Sequence, residues 1–267
     1  MSWDCYRPLN EYLRVGIVNC NLCGADDFSI VFEKGEAQQH RIVRCNKCHL
    51  MYANPQERID SEAMVANDWK FDPNSQYFRK QMVQLPDNLR ALKVLNSVCQ
   101  KRGKLLEIGS FAGVFLNEIR AEGWDVTGLE PDKGPAEYSR SHYKLKIVEG
   151  ILPQPEFPPN SFDAVVLLHV IEHMQDPSQN VREIRGIMKL GGVFVLETPR
   201  FDSLMFRLLG RRERSLSNCN GHIYFFTVPT LTQLLERNGF EVFRVDLVGR
   251  TLTMDRLLYN VGVILRS

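Results

Sequence analysis

The sequence predicts an α/β protein in which a small cysteine-rich module precedes one doubly wound, mostly parallel sheet. Two observations predict it. After Lys104, short apolar runs alternate with amphipathic segments, which is typical of parallel strands joined by helices. Before residue 56, two CxxC pairs lie among short β-like stretches. A chain of 267 residues is long enough for one sizeable core and a small module, but too short for two catalytic domains.

Residues 56–102 form a polar connector that is expected to be helical. Its segment NLRALKVLNSV puts apolar side chains on one stripe of a helix, which predicts packing on the following domain. The stripe consists of Leu89, Leu92, Leu95 and Val98. The main domain then occupies residues 103–267.

The main domain is predicted from its apolar runs and helical segments. The runs LLEIG, DVTGLE, LKIVEG, FDAVVLLHV and GGVFVLET are expected to be buried parallel strands. Helices are expected near 113–122, 133–142 and 177–189, and a fourth is capped by Thr227 and stops at Asn238-Gly239. The segment FEVFRVDLV is predicted to be a further strand, and the final LLYNVGVILRS either a strand or an amphipathic helix.

The numbers of charged residues and the N-terminal sequence indicate which binding partners and which cellular location to expect. Lysine and arginine (33) nearly equal aspartate and glutamate (32), so no overall basic field is available to hold a nucleic-acid backbone. The first residues, MSWDCYRPLNEYLRVG, lack the pattern of a signal peptide, and no run of about 18 apolar residues is present. We therefore expect a cytoplasmic protein without a transmembrane segment. Nothing in the sequence sets its oligomeric state.

Four cysteines at metal-ligand spacing define the N-terminal module, residues 1–55. Each CxxC knuckle presents two thiolates, and two knuckles brought together by a hairpin form a closed tetrahedral sulfur site. Zinc is the metal expected there, with an iron-sulfur cluster or a redox pair as the alternatives. The expected ligands are Cys20, Cys23, Cys45 and Cys48. Because four protein ligands leave no open coordination position, the metal is expected to be structural.

Two roles stay open for this module. Either its metal only stabilises a segment too small to bury its own core, or the module also helps to close or recognise the substrate side of the active site. The second role would fall to residues around the knuckles: Arg41, Arg44, His49, Tyr52 and Asn54.

The turn in LLEIGSFAGVFL is the expected ligand-binding element. A buried strand ends at Glu107-Ile108-Gly109 and a helix begins near Ala112-Gly113, so two glycines let the backbone approach a ligand at the carboxyl end of the strand. One strand and helix later, DVTGLEPD ends in Glu130, whose carboxylate can accept both ribose hydroxyls of a nucleoside. The turn lacks the GxGxxG spacing of dinucleotide-binding dehydrogenases.

The order of LLEIGSFAGVFL, LEPD, EGILP, FDAVVLLHVIEHMQDP and MKLGGVFVLETP resembles the class I S-adenosylmethionine-dependent methyltransferases, over residues 100–250. The resemblance implies a Rossmann-like fold and S-adenosyl-L-methionine as cofactor. It places the methionine moiety on the glycine turn, the ribose on the acid after the second strand, the adenine after the third strand and the sulfonium above the fourth. The implied residues are Glu107, Gly109, Ser110, Phe111, Gly113, Glu130, Pro131, Gly150, Ile151, Leu168 and His169. The family has a further glycine at the position of Phe111, so a side chain here either narrows the pocket or covers the cofactor.

Three histidines are the candidate catalytic residues: His169, His173 and His222. The sequence His169-Val-Ile-Glu172-His173 follows the fourth strand at the carboxyl edge, where a doubly wound fold binds its ligands. An imidazole titrates near neutral pH, so His222 can act as general base when a hydroxyl is methylated. In some related O-methyltransferases such a motif holds a divalent ion, here through His169, Glu172 and His173, joined by His222. The alternative is that Glu172 and His173 support the cofactor loop.

The resemblance implies methyl transfer to a small molecule such as a sugar or nucleotide-sugar. Residues 200–226 are similar to the substrate-side insertion of a subfamily that also carries an N-terminal zinc ribbon and acts on such acceptors. Two alternatives stay open. Zinc modules also occur in ribosomal and transfer RNA methyltransferases, against which the balanced charge argues. Phe111 motivates the other, a non-catalytic zinc-ribbon interaction protein with a degenerate cofactor fold.

Overall fold

The computed structural model describes residues 13–35, 41–59, 71–210 and 221–247 of the chain. In chain order the strands are β1 (Leu13–Gly16), β2 (Phe28–Phe32), β3 (Ile42–Cys45), β4 (Met51–Ala53), β5 (Gln56–Ile59), β6 (Lys104–Ile108), β7 (Asp125–Glu130), β8 (Ile147–Glu149), β9 (Phe162–Leu168), β10 (Met188–Glu197) and β11 (Tyr224–Phe225). The helices are α1 (Gln76–Val98), α2 (Val114–Ala121), α3 (Lys133–Tyr143), α4 (Pro177–Ile187), α5 (Leu204–Leu209) and α6 (Val228–Arg237). A 3₁₀ turn covers Ile171–His173.

The central sheet consists of five parallel strands in the order β10-β9-β6-β7-β8. These are the five apolar runs of the sequence, so the predicted doubly wound α/β fold is confirmed. The chain proceeds from β6 outward to β7 and β8, and then crosses back to β9 and β10 on the other side of β6. The carboxyl ends of β6 and β9 therefore form the switch point, where such sheets leave a crevice for ligands.

Alternate residues of the central strands bury opposite faces of the sheet. Leu106 and Ile108 of β6 pack in one core with α4, α6 and the cysteine-rich module. Leu105 of the same strand packs in the other core with α1 and α2. Helix α1 enters this second core through Leu92 and Leu95, so the stripe predicted for the connector does bury an apolar face on the main domain.

Local capping chemistry sets the bounds of the helices. Asp176 caps α4 by accepting a hydrogen bond from the backbone N–H of Gln179. Thr227 caps α6 in a reciprocal arrangement with Thr230, and the chain leaves this helix through Gly239, whose φ of +85° suits glycine. The predicted start and end of α6 are confirmed, and α2, α3 and α4 lie where the sequence predicted helices.

The small N-terminal sheet is not made by the N-terminal residues alone. Strands β2, β3 and β4 form an antiparallel sheet, and its fourth strand is β11, with Tyr224 opposite Tyr52. Strand β5 pairs with β1, so residues 56–59, which open the predicted helical connector, are a strand. The cysteine-rich module and the main domain therefore share both a sheet and a core.

One predicted element is wrong over the residues that can be compared. The segment FEVFRVDLV was expected to be a strand, but residues 240–247 are irregular and leave Phe243, Val245 and Leu247 63%, 54% and 70% exposed. A strand needs a partner for its backbone groups, and within the described ranges no strand pairs with this segment. The final LLYNVGVILRS lies outside the described residues. In the described part of the chain, no helix is long and apolar enough to cross a membrane.

Candidate active site

The glycine turn between β6 and α2 has the tight backbone that the sequence predicted. Gly109 and Gly113 have φ angles of +74° and +73°, which an L side chain rarely adopts. A Cβ atom on Gly109 would lie 2.5 Å from Val170, and one on Gly113 would lie 2.7 Å from Leu145. Gly113 is also the N-cap of α2, so the unpaired N–H groups of that helix end lie at the turn.

Phe111 keeps this turn in shape although it replaces a glycine. Its φ of +46° lies in the left-handed region, which explains why glycine suits the position. Its backbone N–H donates to Oε2 of Glu130 at 2.7 Å, and its carbonyl accepts from the Ser139 hydroxyl at 3.1 Å. The ring packs edge to face on Phe71, with centroids 5.5 Å apart. The side chain is thus accommodated by a contact outside the turn.

Two buried acids lie at the carboxyl ends of the neighbouring strands β6 and β7. Glu130 accepts backbone hydrogen bonds from Phe111 and, at 3.0 Å, from Asp132, yet burial and the nearby charge of Asp132 raise its pKa to about 8. Burial, followed by repulsion from Glu130, raises the pKa of Glu107 well above its ordinary value. Among the described residues, no donor reaches Oε2 of Glu107 or Oδ1 of Asp132. This edge therefore offers buried oxygens that can accept hydrogen bonds from a ligand.

The remaining predicted cofactor residues lie along the same edge of the sheet. The N–H of Gly150 donates to the Glu130 carbonyl at 3.0 Å, and its φ is +142°. Ile151 and Pro131 are half-buried beside it, and Leu168 is half-buried at the end of β9. Ser110 is buried, and its backbone N–H donates to the Leu129 carbonyl. We call the region formed by 107–113, 130–132 and 150–151 the glycine-turn half of the site.

The three predicted catalytic histidines are gathered around one buried carboxylate. Glu172 is 1% exposed, and its Oε1 lies 3.9 Å from Nδ1 of His169 and 3.8 Å from Nε2 of His222. Nδ1 of His173 lies 2.7 Å from the Gly221 carbonyl, which is an acceptor only, so Nδ1 is the donor of this hydrogen bond. The rings of His173 and His222 are 4.6 Å apart. This cluster lies directly after β9, at the switch point of the sheet.

Two residues of this cluster escaped the sequence analysis. Thr198 donates from its hydroxyl to Oε2 of Glu172 at 2.9 Å, and Oε1 of Glu197 lies 3.1 Å from Nε2 of His169. Both follow from the pairing of β10 with β9, because the carboxyl ends of adjacent parallel strands meet at one edge. The LETP sequence at the end of β10 was the available signal. We call His169, Glu172, His173, Thr198 and His222 the histidine half of the site.

The four predicted metal-ligand cysteines are brought together in the N-terminal module. Their sulfur atoms all lie within 4.8 Å of one another, with 3.4 Å between Cys20 and Cys48 and 3.5 Å between Cys23 and Cys45. A tetrahedral zinc ion with sulfur bonds of about 2.3 Å needs sulfur atoms about 3.8 Å apart. The donor set and its spacing therefore fit zinc.

Protonation at this cluster depends on the surroundings of each thiol. Burial raises the pKa of Cys20 and raises that of Cys48 to about 11. At Cys45, backbone N–H donors from Cys48 and Lys47 outweigh burial and lower the pKa. Metal uptake therefore displaces protons from at least the two raised thiols.

The residues that the sequence suggested for a substrate-side role of the module are partly buried in it and partly exposed. Tyr52 and Asn54 are wholly buried, and Asn54 hydrogen-bonds the backbone of Val18 at both its amide atoms. Arg41 donates to the Asn54 carbonyl, while Arg44 and His49 are exposed on the module. A role of these residues at the substrate side stays a prediction from the sequence.

Several known proteins are similar to parts of this chain. A probable S-adenosylmethionine-dependent methyltransferase of Mycolicibacterium smegmatis is 32% identical over 52% of the chain and 52% of its own length. A ubiquinone biosynthesis O-methyltransferase of Histophilus somni is 27% identical over 54% of the chain and 63% of its own length. The chain thus spans about half to two thirds of these curated relatives.

The fold is also found among solved structures. An S-adenosylmethionine-dependent methyltransferase from Thermotoga maritima, described as a possible histamine N-methyltransferase, aligns with a TM-score of 0.51 and 24% identity, covering 62% of this chain and 76% of that one. At this identity the likeness concerns the fold. A family model described as a methyltransferase domain matches residues 77–245, from the first turn of α1 to beyond α6. Since that match covers more than half of the chain, the protein belongs to the methyltransferase domain family.

Proposed function

We propose that this protein transfers a methyl group from S-adenosylmethionine to a small-molecule acceptor. The observation that carries the proposal is the meeting of the two halves of the site at the ends of β6 and β9. On one side lie a glycine turn and two buried acids, and on the other lies a buried carboxylate among three histidines. The glycine turn and the two acids suit a nucleoside cofactor. The carboxylate and the histidines suit a nucleophile that must lose a proton.

In the glycine-turn half, the carboxylates would accept hydrogen bonds from the cofactor. Glu130 would take the ribose hydroxyls, because two backbone donors already hold its carboxylate in place. Oε2 of Glu107 would accept from the amino group of the methionine moiety, whose positive charge also relieves the repulsion between the two acids. Gly109 and Gly113 allow the left-handed backbone of the turn, and Gly150 with Ile151 would border the adenine.

In the histidine half, the side chains would hold the acceptor and take its proton. Bound S-adenosylmethionine would supply an electrophilic methyl group, and the electron pair of the broken carbon–sulfur bond would stay on sulfur in the S-adenosylhomocysteine product. His222 would take the proton from an acceptor hydroxyl, and the adjacent Glu172 carboxylate would stabilise the imidazolium that results. Thr198 holds Glu172 in this orientation. Most of the rate enhancement would come from aligning the two reactants.

A small acceptor fits these residues better than RNA. The chain carries nearly equal numbers of acidic and basic residues, which argues against an RNA substrate. The Histophilus somni relative is named for ubiquinone biosynthesis, so a small acceptor has a precedent among the relatives. A sugar or nucleotide-sugar is the class we test first. The intact turn at Phe111 argues against a degenerate, non-catalytic fold, because its backbone bonds to Glu130 and Ser139 are kept.

Zinc bound by the four cysteines is part of the proposal, as a structural ion. Thiolate ligands that stay reduced are typical of the cytoplasm, where we place the protein. We propose the domain bounds that the sequence predicted, except that residues 56–59 pair with β1 and so belong with the module. The module is joined to the main domain through β11 and the shared core.

A divalent ion in the histidine half is a second candidate for that cluster. The ligand atoms of Glu172, His173 and His222 lie within 4.8 Å of one another, whereas the sequence-based hypothesis began from His169. Titration of the protein with Mn²⁺ tests it, with His173→Ala as the variant that loses an exposed ligand. Binding of Mn²⁺ that is lost in His173→Ala would support a metal site. If no Mn²⁺ binds, the cluster keeps the general-base role proposed above.

Isothermal titration with S-adenosylhomocysteine tests the main proposal. We expect binding to the full chain and, above pH 8, where Glu130 is ionised, a loss of at least about 100-fold in Glu130→Ala, because two hydrogen bonds to a charged group are removed. The control is Glu149→Ala, since Glu149 lies opposite Glu130 at the end of β8 but pairs with Arg140. No binding to the full chain would overturn the proposal. A subsequent screen of nucleotide-sugars and small hydroxylated metabolites for methyl transfer would identify the acceptor.

A further inference from the structure

The two cysteine knuckles have matching sequences and different surroundings. The first is Cys20-Asn21-Leu22-Cys23 and the second is Cys45-Asn46-Lys47-Cys48, so an asparagine follows the first cysteine of each. Asn46 is exposed and bonds only within the module among the contacts described, donating to Asp27 and accepting from the Ser29 hydroxyl, both at 2.7 Å. The described contacts of the asparagine in the second knuckle therefore stay within the module.

Asn21 instead joins the first knuckle to the start of α4. Its amide nitrogen donates to Oδ1 of Asp176 at 2.8 Å, and its amide oxygen accepts from the backbone N–H of Ser178 at 2.9 Å. Its carbonyl accepts from the Ser178 hydroxyl at 3.0 Å. Asp176 is the N-cap of α4, so one asparagine supplements the cap of the helix that follows the histidine loop.

The next residue strengthens this link. The Leu22 carbonyl accepts from Arg237 at the end of α6 at 2.7 Å. The Leu22 side chain is buried in the same core as Ile171, which opens the 3₁₀ turn, and Val181 of α4. The first knuckle thus contacts the loop, the helix after it and the helix packed beside it.

The module supports the other side of the histidine half as well. Ile223 donates its backbone N–H to the Glu172 carbonyl at 2.8 Å, and the Tyr224 hydroxyl donates to the Gln175 carbonyl at 3.2 Å. Tyr224 belongs to β11, which pairs with β4 of the module. The loop from Glu172 to Asp176 is therefore held by the first knuckle at its end and by the small sheet along its length.

We propose that Asn21 is a positioning residue through which the four-cysteine module holds Glu172 and His173 in place for the acceptor. The inference rests on the proposed function for the role of this loop. It predicts that loss of the metal loosens the histidine half and leaves the glycine-turn half intact. Among the described residues, the first knuckle makes hydrogen bonds to the loop after β9, to the start of α4 and to the end of α6, and none to the turns after β6 and β7.

Hydrogen exchange with mass spectrometry tests the inference on the full chain, comparing Asn21→Ala with the matched variant Asn46→Ala. Loss of the two side-chain bonds should speed exchange in peptides covering 171–180 by about tenfold in Asn21→Ala, with no change in peptides covering β6 to β8. Asn46→Ala should leave residues 171–180 unchanged. Equal exchange of that segment in the two variants would overturn the proposal.

Removal of the metal with a chelator supplies a coupled measurement. The wild-type chain should then show the faster exchange of residues 171–180, and Asn21→Ala should gain little more, because the same link is already broken. Fully additive effects would overturn the proposal. Ser178→Ala removes only the hydroxyl bond and should give a smaller change in the same segment, which keeps the test valid if Asn21→Ala folds poorly. Titration with S-adenosylhomocysteine reports on the proposed function separately, and its affinity in Asn21→Ala should stay within about twofold.

Discussion

The two halves of the site are built in different ways. The glycine-turn half is formed by the turns after three consecutive strands, β6, β7 and β8. Its shape comes from the backbone angles at Gly109 and Gly113 and from two backbone N–H groups that donate to Glu130. The histidine half collects side chains from the ends of β9 and β10 and from the segment before β11, with the cysteine module behind it. Cofactor binding should therefore depend on local geometry, and acceptor chemistry on the assembly of distant segments. Each half should be separable from the other by substitution.

Cys45→Ser is expected to have the largest effect, because it removes one of the four cysteine sulfurs of the cluster that we propose to support the histidine half. Bound zinc should fall from about one equivalent to none, and the free energy of unfolding should fall by several kcal/mol. Metal analysis and thermal unfolding measure both. Cys99→Ser is the control, since this half-buried cysteine lies at the end of α1 away from the cluster. Unchanged metal content in Cys45→Ser would contradict the assignment.

Glu172→Gln should separate the two halves most clearly. The amide keeps the size of the side chain but removes the charge that faces His169 and His222. Methyl transfer should fall by about 100-fold, as when a proton-transfer group is disabled, while affinity for S-adenosylhomocysteine stays within about threefold. Glu149→Gln should change neither quantity. A Glu172→Gln variant that loses cofactor binding would show that the halves are not independent.

Affinity for S-adenosylhomocysteine should depend on pH through Glu130. The pKa of about 8 means that this carboxyl is mostly protonated at neutral pH, and the ionised form is the one expected to accept the ribose hydroxyls. Affinity should rise with pH by up to about tenfold per unit below pH 8 and level off above it. Glu107 and Asp132, whose pKa values are also raised, face the same edge. Titration calorimetry should lose most of this slope in Glu130→Gln and keep it in Glu149→Gln.

Phe111 gives the smallest expected effect and tests the backbone of the glycine-turn half. Phe111→Gly and Phe111→Ala both remove the ring contact with Phe71, but only glycine relieves the φ of +46°. Phe111→Gly should therefore be more stable than Phe111→Ala by about 1 kcal/mol. Chemical denaturation measures the difference. An alanine variant as stable as the glycine variant would mean that the left-handed angle carries no strain.

The glycine-turn half was predictable because its signals are local. The apolar run LLEIG, the glycines that follow it and the acid one strand later are close in sequence, and the structure confirms the strands and the turn that they predict. The positive φ of Phe111 was indicated only by the glycine that the resembling family has at this position, since the propensity of phenylalanine argues against that angle.

The histidine half was predictable in its histidines but not in its supports. Thr198 reaches Glu172 only because β10 lies beside β9, and Asn21 reaches Asp176 across 155 residues of chain. Such contacts depend on tertiary assembly, which periodicity and spacing do not encode. The strand predicted for FEVFRVDLV was wrong over residues 240–247 for the same reason, because β-propensity cannot supply a pairing partner.

The late arrival of β11 has a consequence for synthesis of the chain. The four cysteines emerge from the ribosome early, but β4 must wait for residues 224 and 225, which takes on the order of 10 to 30 s at usual elongation rates. During that interval β4 is an open strand edge, the kind of surface that pairs with other chains. A metal ion bound as soon as Cys48 is exposed would order the nascent module through this period, so metal supply should govern the yield of folded protein as well as its stability.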